Sequence, residues 1–242
     1  MVFSSQGATN EQGSSSLSEP PKQTEDATKV RHWTGTIDIT SNYTFLGISE
    51  SNNLPAVQGS LTYILPRSGI YFYVWGSNVK FNDFKGKLAT LEINPAIGFS
   101  NDIGENFNYD IYLSPYIYPN TAASYADVIG EFTYYFVNTK LGYSNDVFNY
   151  HGSGTYFRVG FEHQIPRKYL FGQENVNISG GVGRYFLPSN KGLPSYDYFD
   201  FQLDKTIGKF VLSLQWTGTN LQASDAPALQ REKLVATITM NF

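Results

Sequence analysis

Lys233-Leu234-Val235-Ala236-Thr237-Ile238-Thr239-Met240-Asn241-Phe242 closes the chain on an alternation of apolar and polar residues. Leu234, Ala236, Ile238, Met240 and Phe242 share one face, and Lys233, Thr237, Thr239 and Asn241 share the other, with Val235 the exception. A period of two gives a strand one oily and one wet surface. Such a strand ending on an aromatic residue fits the last strand of a transmembrane β-barrel, apolar side to lipid and polar side to lumen. It fits equally well the edge strand of a soluble sandwich, so the rest of the chain must decide.

Composition narrows the choice. The 242 residues include 18 Tyr, 18 Phe and 3 Trp, while charged residues make only 16%, against about 25% in ordinary soluble domains. Mean hydropathy is nevertheless negative, at -0.29. Alternation produces this combination, because half of every strand faces water. No stretch approaches the roughly 18 consecutive apolar residues of a membrane helix, so membrane insertion requires a closed barrel. The chain has no cysteine, which removes disulfides, thiolate metal sites and cysteine nucleophiles. A net charge of -4 excludes a generally basic nucleic-acid binder. Met1 to Ser18 lacks the basic and apolar regions of a signal peptide, so the sequence is expected to begin after a cleavage site.

Residues 1–30 are rich in Ser, Gln, Gly and Pro and poor in large apolar residues. They cannot offset the entropy of ordering and read as a disordered tail. From Trp33 the alternation hardly stops. It predicts strands at about 33–45, 56–65, 70–79, 88–99, 107–118, 126–137, 139–145, 154–165, 176–186, 196–205, 209–217 and 233–242. The strand at 70–79 is aromatic on both faces, which leaves its facing open. Connections are mostly short on one side and long on the other, as in an outer-membrane barrel, with Pro166 to Asn175 an exception. An even strand count puts both termini on the short-turn side, so the tail is expected in the periplasm. A soluble sandwich has no reason to repeat this asymmetry. The fold expected is all-β: an up-and-down antiparallel transmembrane barrel of about 12 strands over residues 31–242, in the bacterial outer membrane.

Residues 41–79 carry a further pattern. Ser41-Asn42-Tyr43-Thr44-Phe45-Leu46-Gly47-Ile48-Ser49 is followed by Pro55-Ala56-Val57-Gln58-Gly59, Gly69-Ile70-Tyr71 and Trp75-Gly76-Ser77-Asn78-Val79. This resembles the TorF-like porin family, once described only as bacterial proteins of unknown function. Tyr116-Ile117-Tyr118-Pro119 and Glu131 match weaker parts of its pattern, so the resemblance spans about 35–165. Leu46 stands where that family has arginine, and Glu50 where it has glutamine. The resemblance implies an outer-membrane barrel acting as a pore, with no catalytic residues to carry over.

Alternation puts Asp38, Glu92, Asp110, Glu131, Arg158, Glu162, Asp200, Asp204 and Lys233 inward. They imply a mildly acidic lumen that attracts cations; if Arg158 and Lys233 pair with acidic neighbours, the same residues instead plug the lumen. Trp33, Tyr43, Trp75, Tyr116, Tyr118 and Trp216 near strand ends read as an interfacial girdle rather than as sugar-stacking platforms. An outer-membrane lipid-modifying enzyme would need a nucleophile and base within reach of each other. His151-Gly152-Ser153-Gly154 places such residues together, but in a Gly-rich turn with no orienting partner in evidence. His163 reads as an interface residue and His32 as solvated. No metal, cofactor or catalytic motif is recognised. The function expected is a passive channel for small solutes. A closed structural or adhesion barrel acting through its loops is the alternative, and the enzyme is third. Expected partners are outer-membrane lipid, small solutes and the barrel-assembly machinery, which would read Phe242 as its signal, and no nucleic acid.

Overall fold

The structure, a computed structural model, describes residues 32–170, 173–221, 229 and 231–242; the predicted tail lies outside them. Twelve strands close into one antiparallel barrel in sequence order: β1 (Trp33–Thr40), β4 (Ala56–Ile64), β5 (Ile70–Asn82), β6 (Leu88–Ile103), β7 (Phe107–Tyr116), β8 (Tyr125–Tyr134), β9 (Val137–Ser144), β10 (Gly154–Gln164), β11 (Val176–Phe186), β12 (Tyr196–Ile207), β13 (Phe210–Thr219) and β14 (Lys233–Asn241). Two further strands, β2 (Thr44–Phe45) and β3 (Ile48–Ser49), form a separate small hairpin. Among the described residues no helix is long and apolar enough to cross a membrane. Crossing falls to the strands.

Alternation decides which surface each side chain meets. Ile37, Ile39, Val57, Phe72, Leu91, Ile111, Val128, Val159, Leu203, Leu214, Leu234 and Ile238 all stand exposed on the outside. So broad an apolar exterior would aggregate in water; in lipid it is the solvated face. The ring is sealed where β1 meets β14, from Thr36 opposite Asn241 to Thr40 opposite Thr237. Phe242 extends that seam. Its backbone exchanges hydrogen bonds with Gly35 (3.2 and 3.1 Å), and its ring lies where a side chain at Gly35 would stand.

Inside, large rings are accommodated by glycine on the neighbouring strand. Tyr71 faces Gly98, Tyr156 faces Gly142 and Tyr198 faces Gly183 across the ladder. A Cβ on any of these glycines would fall 2.1–2.3 Å from the tyrosine ring. The rings thus lie along the wall over bare backbone. Between β6 and β7 the ladder has a gap. Ile93 and Ile117 exchange hydrogen bonds (2.9 and 3.0 Å), and regular pairing resumes at Ile97 and Leu113. Pro95 and Pro115 lie between, and neither has an N–H to donate.

The first predicted strand needs correction. It was expected to run to Phe45, with Tyr43 and Phe45 facing lipid. It ends at Thr40, and residues 41–55 turn into the barrel, burying both rings. The alternation continues through Asn42-Tyr43-Thr44-Phe45 because the segment does contain strand, but that strand belongs to the internal hairpin β2–β3.

Candidate functional site: the lumen and its internal hairpin

The hairpin turns at Leu46 and Gly47, both with positive φ (47° and 82°). Two such residues make the tight turn whose twist suits a two-residue hairpin loop. Gly47 takes this conformation freely, whereas Leu46 costs about 1–2 kcal/mol there. A knot of small polar side chains fixes the base. Asn42 Oδ1 accepts from Ser49 Oγ (2.6 Å) and Ser51 Oγ (3.0 Å), and Asn42 Nδ2 donates to Asn53 Oδ1 (2.9 Å). Ser51 Oγ also accepts from the Tyr43 N–H (3.0 Å), and its single proton is shared between Asn42 Oδ1 and the nearer Leu54 carbonyl (2.6 Å). Asn78 pins the way out, accepting from the Val57 N–H (2.7 Å) and donating to the Pro55 carbonyl (3.3 Å). The sequence pattern at 41–59 and 75–79 therefore encodes one object, an inward hairpin and its fastenings.

The hairpin stands inside the bore. At its base, the Glu50 carbonyl accepts from the Lys80 N–H (2.7 Å), and the Tyr43 ring lies 5.3 Å from Trp75. At its tip, Lys233 Nζ donates to the Gly47 carbonyl (2.9 Å) and to Leu229 (2.8 Å). A Cβ on Gly47 would fall 2.6 Å from the Gly218 carbonyl. Phe45 reaches the far wall, its ring 5.7 Å from Tyr116 on β7 and 6.3 Å from Tyr156 on β10. In the ring of twelve, β10 and β7 lie five and four strands from β1, on either side of β9, the strand opposite it, while β14 and β13, which hold the tip, are the first two strands on one side of β1. Tyr43, Phe45 and Leu46 are all buried, and burying side chains of this size contributes about 1.5–3 kcal/mol each.

Phe45 joins an aromatic chain near the long connections. Tyr116 stacks on Tyr125 at 4.6 Å and 5°, and Tyr156, Tyr185, Tyr196 and Tyr198 follow edge to face. Of the six aromatic residues read as a girdle, Trp33 and Trp216 are exposed on the outside. Tyr43, Trp75, Tyr116 and Tyr118 are buried inside the barrel. Aromatic residues suit both surfaces of this wall, and the inward ones find glycine, carboxylate or hairpin partners.

The nine charged residues placed inward by alternation are found as follows. Arg158 and Asp200 form a bidentate pair, Nε to Oδ1 at 2.8 Å and Nη2 to Oδ2 at 2.6 Å, with Nη1 donating to Asn138 Oδ1 (2.7 Å). Glu131 takes Lys140 Nζ (2.7 Å) and the Tyr112 hydroxyl (2.6 Å). Asp110 accepts the Tyr71 hydroxyl on both oxygens (2.9 and 3.0 Å). Asp204 accepts from Gln202 Nε2 (2.9 and 3.0 Å), Glu92 from Asn94 Nδ2 (2.8 Å) and Asp38 from Thr36 (3.2 Å). Glu162, half-buried, faces Ser179 across the ladder. Lys233 binds backbone carbonyls of the connections rather than a carboxylate, so of the two cations expected to plug the lumen by ion pairing only Arg158 pairs with an acid.

Three ionic residues inside the barrel escaped the inward set. Lys140 sits on the weakly patterned β9. Glu50 was read as part of a connection. Asp127 stands two positions in register from Ile129 and four from Glu131 on β8, a signal that alternation carried. Asp127 is buried, with the Tyr156 and Ser144 hydroxyls as its polar neighbours.

Outside the lumen, Asp83 in the β5–β6 turn accepts N–H groups of Lys85 (2.9 Å), Lys87 (2.8 Å) and, from the β7–β8 connection, Ala122 (2.7 Å). The Ala122 bond is the main cause holding its carboxyl below the ordinary aspartate value, against an opposing desolvation. His151 carries a partner that sequence did not show: its N–H donates to Asp146 Oδ1 (2.6 Å) and its Nδ1 lies 3.4 Å from Oδ2. The His151 side chain is exposed, and among the described residues no hydrogen bond joins it to Ser153. His32, expected to be solvated, is half-buried with its ring 6.3 Å from Tyr63. His163 is exposed on the outer face. Among the described residues no group of three or more His, Asp or Glu is placed to hold a metal ion.

Residues 24–242 match the family described as "Bacterial protein of unknown function (Gcw_chp)". The chain belongs to that family. No curated protein matches it in sequence. Among solved structures it is similar to the KdgM porin, with a TM-score of 0.55, 4% identity and coverage of 87% of this chain and 98% of that one. It is likewise similar to the NanC porin, with a TM-score of 0.50, 8% identity and the same coverage of both chains. At such identities the likeness concerns the fold, and both folds are barrels of closely matching length.

Proposed function

We propose that this protein is an outer-membrane channel for passive diffusion of small, preferentially cationic solutes; the TorF-like resemblance implies the pore, and the inward carboxylates supply the preference for cations. The observation that carries the reading is the two-faced wall: a continuous apolar exterior around an interior lined by Asp38, Glu92, Asp110, Asp127, Asp204 and hydroxyl groups. Charge on the lipid face at mid-depth costs about 2–4 kcal/mol for Arg or Lys, whereas a wet lumen tolerates it. Pairing removes Asp200 and Glu131 from the acidic balance, and the remaining carboxylates keep the interior acidic. Porin-like barrels of matching length support this reading over an enzyme. The short-turn rim, which carries Trp33 and Phe242, then faces the periplasm, where the assembly machinery would read Phe242. Single-channel recording in planar bilayers tests the proposal. The refolded protein is expected to give small, weakly cation-selective steps, and a folded barrel that passes no resolvable current would defeat it.

A further inference from the structure

We infer that the hairpin at residues 43–50 is the constriction of this channel, and that Lys233 is the latch that fixes its tip to the β13–β14 wall; the inference rests on the channel reading and adds its selectivity element. Three features point to it. The barrel closes through β1, β4 and β14 without using the hairpin. A segment that contributes nothing to the wall is nonetheless buried and fastened at both ends, by Asn42 at its base and Lys233 at its tip. The Phe45 side chain reaches from the hairpin toward the far side of the bore, where its ring meets Tyr116 and Tyr156. At that height a solute must pass beside the hairpin, so size selection belongs to this segment and not to the diameter of the barrel. Lys233 on the last strand grips the tip by donating to the Gly47 carbonyl, a bond that a methionine cannot make.

The chain's lack of cysteine allows a test by accessibility. Ser114, buried on the wall two residues from Tyr116, is changed to Cys in three proteins refolded into vesicles. The first is otherwise native. In the second a Gly-Ser linker replaces residues 43–50. The third carries Phe45→Ala with Lys233→Met and keeps the chain length. A heat-modifiability gel establishes that each is folded, and the third serves if the second does not fold. Both altered proteins are expected to react several-fold faster with a water-soluble maleimide and to pass several-fold larger single-channel currents. Unchanged labelling in a folded, altered barrel overturns the constriction, whatever the currents. Faster labelling with no current from any of the three keeps the constriction and defeats the channel. A conducting native protein with labelling and current both unmoved keeps the channel and defeats the constriction.

Discussion

Near the long connections the wall presents Tyr116, Tyr125, Tyr156 and Tyr196 to the interior; nearer the short turns the same four strands present Asp110, Glu131, Arg158 and Asp200. The two tiers hold themselves together differently. The ionic tier does so by pairing: Arg158 with Asp200, Lys140 with Glu131, Tyr71 with Asp110. The tyrosine tier does so by contact, with rings over glycine, rings against rings, and the hairpin wedged among them by Phe45. Pairing makes a tier sensitive to the loss of one partner. Contact makes it sensitive to the addition of bulk. A single barrel thus carries two kinds of fragility at two heights.

The largest effect should come from breaking the ionic tier at its tightest pair. Arg158→Met leaves Asp200 buried without its counter-charge, and loss of one partner of a buried pair costs about 3–5 kcal/mol. The midpoint of urea unfolding in detergent should fall accordingly, and adding Asp200→Leu should restore most of it. A midpoint that stays put would mean that water already solvates this pair. In the tyrosine tier the corresponding change is Gly142→Ala, whose added methyl meets the Tyr156 ring. Overpacking of this kind costs about 1–3 kcal/mol, read by the same unfolding curve. If Gly142→Ala proves as stable as the native chain, the rings are freer than the wall geometry describes.

A third change separates the tiers by charge. Reversing Asp110 and Glu131 to Lys should move the reversal potential in a salt gradient toward anion selectivity, while Tyr116→Phe should leave it in place. Equal behaviour of the two variants would show that neither tier sets the field along the path. The smallest effect belongs to the rim. Asp83 has a folded pKa below its unfolded one, so its contribution is present above the unfolded value and is lost as pH falls through the folded value, below about 4. Backbone amide exchange at Ala122 should therefore speed up selectively on acidification, beyond the ordinary pH trend of its neighbours, and Asp83→Asn should abolish that excess.

Much of this architecture was legible because a barrel wall has only two surfaces. Alternation placed twelve strands, and the same rule located Asp38, Asp110 and Asp204 on the inner side. What alternation cannot distinguish is a strand of the wall from a strand inside it. Asn42-Tyr43-Thr44-Phe45 keeps the period of two while leaving the ladder, and only the small polar residues at 41, 42, 49 and 51 and the Leu46-Gly47 turn mark the departure. Aromatic side chains misled for a related reason: a ring suits the lipid interface and suits a bare glycine backbone equally well. The partner strand marks only some of the inward rings: Gly98, Gly142 and Gly183 sit opposite Tyr71, Tyr156 and Tyr198, whereas Trp75 faces Asn94 and Tyr116 faces Tyr125. Reading one strand at a time could not show it.

The bond from Lys233 to Gly47 joins residues 186 positions apart, the first connection to the last strand. Contacts between distant parts of a chain form late, because the intervening loop must first be closed. The binding place for the hairpin tip, formed by Lys233 with Gly218 and Thr219, exists only once β13 and β14 have been laid down. The strand that carries this lysine is also the strand that seals the ring against β1, so closing the wall and furnishing the docking place of the hairpin tip fall to one event.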